Sequence, residues 1–282
     1  MTSPHPPSRF SLGSPFPNTS CALQQGGSLE NYLSQVVSWV DSNPNEVLTL
    51  LFVNSDGLPA TTWAQAFEST GLSKKVYSPP SGTLAKSSWP TLGQLIDAGT
   101  TVVAFLASEA DTSTVPYLLP EFTNMWENAY DQTSVPFDCS VDRINSGTSP
   151  EGIMYLVNHF LDNETNLLGT TIYTPAVDQL LTTNSYESIK ANVDNCANLH
   201  ASYPTFILVD FYDYGNGSVF EAAARMNGVS YTAKPIGNST HSSSSSSSSS
   251  SSHANPTLRG GTSSLLALIP AGLVTSAFFL LL

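Results

Sequence analysis

The sequence predicts an α/β fold with a parallel sheet. Three observations lead there. First, four short apolar runs rich in strand formers lie at 47–53 (VLTLLFV), 100–106 (TTVVAFL), 153–159 (IMYLVNH) and 206–211 (FILVDF). Their nearly continuous apolar character is the pattern of strands covered on both faces. Second, segments with apolar residues at helical spacing separate these runs, and strands alternating with amphipathic helices build parallel sheets. Third, no glycine-rich phosphate loop follows any run, which disfavours a nucleotide-binding sheet. The pattern alone leaves an open doubly wound sheet and a barrel as alternatives.

The elements follow in chain order. Ser28 can cap a first helix, in which Leu29, Tyr32, Leu33, Val36, Val37 and Val40 form one apolar stripe; Asn43-Pro44-Asn45 ends it. After the first strand, residues 62–69 read as a helix closed at Gly71. Thr91 with Gln94 is a capping box that opens a short helix to Asp97. Residues 135–141 are expected as a further strand. Residues 185–200 place Ile189, Val193, Cys196 and Ala197 on one helical face. Ser218 with Glu221 is a second capping box, for a last helix that ends at Asn227-Gly228.

The 282 residues carry 9 Lys+Arg against 22 Asp+Glu, with a pI near 4.5. Such a surface repels polyanions, so nucleic acid is not an expected partner, nor is an anionic lipid surface engaged through a basic patch. The odd count of three cysteines, Cys21, Cys139 and Cys196, fits a free thiol or a missing partner, or else three buried reduced thiols. Residues 242–252 are an unbroken serine run, and residues 265–282 (LLALIPAGLVTSAFFLLL) are an apolar stretch. Small residues, a polar spacer and an apolar tail form a GPI-attachment signal, with Ser250, Ser251 and Ser252 as attachment candidates and the membrane as the implied partner. The competing reading is a retained tail anchor, since eighteen apolar residues just reach a bilayer's span. Residues 1–17 hold no apolar core of a signal peptide, which sits uneasily with export. Sequons at Asn18, Asn163, Asn216 and Asn238 fit glycosylation of a secreted chain. The expected organisation is an irregular leader at 1–17, one domain at 18–232, a serine-rich stalk at 233–263 and the tail at 264–282.

Chemistry is expected at the polar residues that end the strand-like runs: Asn54 and Asp56, Ser108 and Glu109, Asn158, His159 and Asp162, and Asp210 and Asp213. Asp210, set between Val209 and Phe211, is the leading candidate, because a carboxylate in an apolar strand end is costly without a partner. The plainer alternative is an Asp that caps a loop. His159 is placed similarly, either as a catalytic group or as a structural histidine. No His or Cys pair has metal-ligand spacing; strand-end carboxylates leave calcium open, and the cofactor is unknown. No G-x-S-x-G turn supports a serine hydrolase.

Five blocks in order, at 18–32 (NTSCALQQGGSLENY), 39–56 (WVDSNPNEVLTLLFVNSD), 89–99 (WPTLGQLIDAG), 154–162 (MYLVNHFLD) and 206–220 (FILVDFYDYGNGSVF), resemble fungal phospholipase-C-like phosphodiesterases, relatives of the phosphatidylinositol-specific phospholipase C X domain. The resemblance runs from about Asn18 to Gly228. It implies a TIM-type (β/α) barrel and hydrolysis of a phospholipid or related phosphodiester by two histidines, one acting as base and one as acid. It also implies that Asp210, in Val209-Asp210-Phe211-Tyr212, orients the first histidine. Asn18 stands where the family has its second histidine and Pro17 where it has a cysteine, so the expected partner of Cys21 is gone. Cys139 and Cys196 are then the expected disulfide. No counterpart of the family's first strand or its histidine is found, so an incomplete, N-terminally truncated barrel of doubtful catalytic competence is expected. The alternative function is a non-enzymatic, GPI-linked surface glycoprotein on the same fold.

Overall fold

The computed structural model describes residues 27–234 and residue 236. Expectations placed on Asn18, Cys21, Asn238, Ser250, Ser251, Ser252 and the apolar tail lie outside the described residues. Helix α1 (Leu29–Ser42) begins where the Ser28 hydroxyl accepts from the Asn31 amide at 3.3 Å. It ends at Asn43, whose side-chain amide donates to the Trp39 carbonyl at 2.8 Å. Strand β1 (Leu48–Phe52), helix α2 (Ala60–Ser69), helix α3 (Leu92–Ala98) and strand β2 (Val102–Leu106) follow. Gly71, at φ 78°, turns the chain after α2 in a conformation that residues with a Cβ avoid. The reciprocal Thr91–Gln94 capping box is formed at the start of α3.

The second half holds β3 (Leu118–Pro120), α4 (Glu121–Asn124), β4 (Met125–Glu127) and β5 (Met154–Asn158). A hairpin of β6 (Asp162–Leu167) and β7 (Thr170–Pro175) comes next, then α5 (Leu180–Thr183), α6 (Tyr186–His200), β8 (Phe206–Leu208) and α7 (Ser218–Met226). Strands β1, β2 and β3 form one parallel sheet in that order, and β4, β5 and β8 form a second parallel sheet. The fold is therefore α/β with parallel sheets; no closed barrel is present among the described residues.

The pleat sorts side chains onto two faces. Leu48, Leu50, Phe52, Val102, Ala104, Leu106 and Leu118 pack against α1 and α2. The alternate residues Val103, Phe105 and Leu119 of the first sheet meet Met125, Met154, Leu156, Phe206 and Leu208 of the second in one shared inner core. On the outer side of the second sheet, Trp126, Tyr155 and Val157 lie against Cys139 and Cys196. There the Trp126 and Tyr155 rings stack at 4.5 Å. Ile207 and Val209 face Ile189, Val193, Val219 and Ala222 of α6 and α7.

Two local expectations are corrected. Residues 135–141 form no strand. The Gln132 carboxamide accepts from the Asp138 amide at 2.6 Å, and Cys139 is bonded to Cys196 of α6, with their Cα atoms 5.2 Å apart. These ties turn the segment toward the helix and away from a strand partner. Ser218 does not cap α7: Gly217 is the cap, and the buried Ser218 hydroxyl donates instead to the Asn184 carbonyl.

Candidate active site

The inner face ends in acid. Glu127 and Asn158, two residues on from Met125 and Leu156, end β4 and β5 on the inner side by period-two alternation, and Asp210 follows two residues past the end of β8. β4 and β5 are stitched there by side chains. Buried Asn128 accepts from the Asn158 amide at 2.7 Å and donates to the Asp138 carbonyl at 2.7 Å. Asn158 donates to the Asn128 carbonyl at 2.9 Å and to the Glu127 carboxylate at 3.3 Å. The Glu127 carboxylate is also 3.4 Å from the Arg143 guanidinium.

Glu121 opens α4 directly after β3 and is 1 % exposed. Its carboxyl lies beside that of Glu127, close enough to share a proton with it. Burial, then the Glu127 neighbour, raise its pKa far above the usual carboxylate range, only partly offset by Arg143. It is therefore a neutral acid at neutral pH. Burial pushes Asp210 up to about 6. Burial first, then repulsion from Asp210 and Asp131, pushes Asp162 up to about 6 as well. Asp131 is raised by burial and held back by Arg143. The site can thus hold protons on several carboxyls in mildly acidic solution, the condition for general acid–base work near that pH.

Other expected residues occupy different places. Asn54 closes its own loop, donating to Leu58 at 2.7 Å and to Ser108 at 3.2 Å and accepting from the Leu58 amide at 3.0 Å. His159 is fully buried on the outer side of β5. Its Nδ1 lies 2.9 Å from the Asn192 amide nitrogen and its Nε2 lies 2.8 Å from the Thr183 carbonyl, so Nε2 carries the proton that is donated. Phe137 covers the ring at 4.6 Å. Burial drops its pKa to about 4, with the Thr183 bond opposing. This histidine carries out structural work between β5 and α6. Asn163 and Asn216 are exposed. No group of three or more His, Cys, Asp or Glu able to hold a metal ion is present among the described residues.

Sequence reasoning missed Glu121, Glu127 and Arg143. The available signal was Glu127 in Met125-Trp126-Glu127, a strand too short to show a period. It also missed Asn184, whose amide donates to the Asp210 carbonyl at 2.7 Å and the Phe211 carbonyl at 3.0 Å and so pins the turn behind Asp210.

The family model of the PI-PLC X domain (PI-PLC X 1) matches residues 15–227, most of the chain. The chain belongs to the PI-PLC X family. A PI-PLC X domain-containing protein 1 of Arthroderma benhamiae is 39% identical over 216 residues, which cover 75% of this chain and 68% of that protein. An uncharacterized secreted protein of the same fungus is 36% identical over 231 residues, 79% of this chain and 52% of that protein. The chain thus spans about half the length of that secreted relative. No solved structure matches. On this PI-PLC X chain, Asp210 lies two residues past the end of β8, with Glu127 and Asn158 at the ends of the neighbouring strands β4 and β5.

Proposed function

We propose that this PI-PLC X chain is a phosphoric diester hydrolase of the cell surface, acting on a phospholipid or related phosphodiester at the inner-face strand ends. The observation that carries the reading is the family match over residues 15–227, which spans β1 to β8 and Asp210. The two parallel sheets, sharing one inner core, are read as consecutive arcs of a TIM-type barrel. Asp210 and Asp162, with pKa values near 6, would hold or exchange protons there. The secreted relative supports export, the exposed Asn163 and Asn216 support glycosylation, and the serine run with its apolar tail supports a GPI anchor.

The test is release of water-soluble phosphate ester from phosphatidylinositol and phosphatidylcholine vesicles by the full chain, with Asp210→Asn as control. Turnover lost at least tenfold in Asp210→Asn supports the reading; no turnover on any phosphodiester, from protein with native circular dichroism, refutes it. One observation favours a non-enzymatic surface glycoprotein. The two described histidines both lie off the inner face, His159 against α6 and His200 against Trp126 and the Cys139 carbonyl.

A further inference from the structure

We propose that Arg143 is the anion-recognising residue of this site, taking the phosphoryl oxygens of a phosphodiester; the inference rests on the phosphodiesterase reading. The backbone places it rigidly. Arg143 and Glu127 exchange amide–carbonyl bonds of 3.0 and 3.1 Å, and the Asn145 amide donates to the Phe122 carbonyl at 2.9 Å. The side chain is pre-organised as well. Its guanidinium lies 4.6 Å from the Phe122 ring centroid and 5.1 Å from that of Tyr130, and 3.4 Å from Glu127.

A guanidinium has five N–H donors in a planar fork. One carboxylate contact leaves most of them for a ligand, and the side chain is still 30 % exposed beside a Glu127 that is 4 % exposed. Holding Arg in place beforehand removes the rotamer entropy that binding would otherwise cost. Fork geometry matches the paired oxygens of a phosphodiester.

Charge decides whether an anion can enter. Glu121, Glu127 and Asp131 all face Arg143, and three carboxylates would repel a phosphodiester. Glu121 keeps its proton at neutral pH. The buried, protonated Glu121 carboxyl beside Glu127 thus leaves Arg143 facing one fewer negative charge. Among the other described cations, Lys75 pairs with Asp41, Lys190 with Asp194 and Arg225 with Glu221, and Lys86 lies over the Tyr155 ring.

The chain has four arginines, so a protein labelled with nitrogen-15 arginine gives a simple Nε–Hε spectrum, in which Arg143→Lys identifies the Arg143 signal. Dimethyl phosphate is titrated into the full chain, with neutral trimethyl phosphate as control. The expected result is a saturable shift of the Arg143 signal with the anion alone, and, by calorimetric titration, affinity at least tenfold weaker in Arg143→Lys, which keeps the charge and loses the fork. An unmoved Arg143 signal, saturation at another arginine, or wild-type affinity in Arg143→Lys overturns the inference. Phosphodiester turnover with an unchanged KM in Arg143→Lys would also overturn it while leaving the hydrolase reading intact. Dimethyl phosphate seated on Arg143 in a chain that hydrolyses no phosphodiester would uphold it and remove the hydrolase reading.

Discussion

Replacing Glu121 by Gln is expected to make the protein more stable at neutral pH. The side chain is fully buried and its carboxyl shares a proton with the neighbouring Glu127 carboxylate. Its folded pKa is raised above the ordinary value of 4.5 and past neutrality. The native state therefore holds a proton that the unfolded chain releases once the pH passes 4.5. Stability from this group is complete below that pH and declines as pH rises toward the folded pKa. By pH 7 the decline spans two and a half pH units from 4.5, which amounts to about 3 kcal/mol. The figure does not depend on how far above 7 the folded group titrates. Gln is nearly isosteric and neutral in both states, and its amide can donate to the Glu127 carboxylate. Denaturant unfolding of both proteins from pH 4 to pH 8, with m values compared, reads the difference directly. The variant should match the wild type near pH 4 and exceed it by up to about 3 kcal/mol at pH 7. Parallel pH profiles would refute the reasoning, since Glu121 would then be ionised and paired in the native state.

Further outcomes are expected. His159, at about 4 in the folded protein against 6.5 when free, lowers stability as pH falls from 6.5 toward 4, by about 3 kcal/mol at the end of that window; its imidazole should still read as neutral by NMR at pH 5.5. His159→Ala should cost about 2–4 kcal/mol by leaving the Asn192 and Thr183 groups unpaired in a fully buried site, and wild-type unfolding midpoints would count against that role. Replacing Cys139 and Cys196 by Ser should cost about 4 kcal/mol, from a loop closed across 57 residues, measured against the wild type without reductant. Asn184→Ala should cost about 1–3 kcal/mol and loosen the Asp210–Phe211 turn. Faster amide exchange at residues 210–214 would confirm the loosening, and unchanged exchange would oppose it.

Much of the fold was readable locally. Ser28, Thr91 with Gln94, and Gly71 mark helix ends through hydrogen bonds and dihedrals that involve only a few neighbouring residues. Runs such as VLTLLFV announce buried strands because both faces must be apolar. Strands β3 and β4, of three residues each, are too short to show a period, and the β6–β7 hairpin is polar and exposed, so no apolar alternation marked it. Ser218 with Glu221 has capping-box spacing, yet Ser218 turns inward to Asn184, a partner 34 positions away.

The site divides in the same way. The sequence by itself pointed to Asp210, because an acid in an apolar strand end needs a reason to be there. Local pattern could not say which side of a strand a polar residue takes. Adjacent Asn158 and His159 look alike in sequence, but the pleat sends Asn158 to Glu127 and His159 to Asn192. Only the tertiary structure brought Glu121, Glu127 and Arg143 together. Desolvation and charge coupling depend on distance in space, and those three residues meet through strand pairing and burial, which spacing along the chain does not encode.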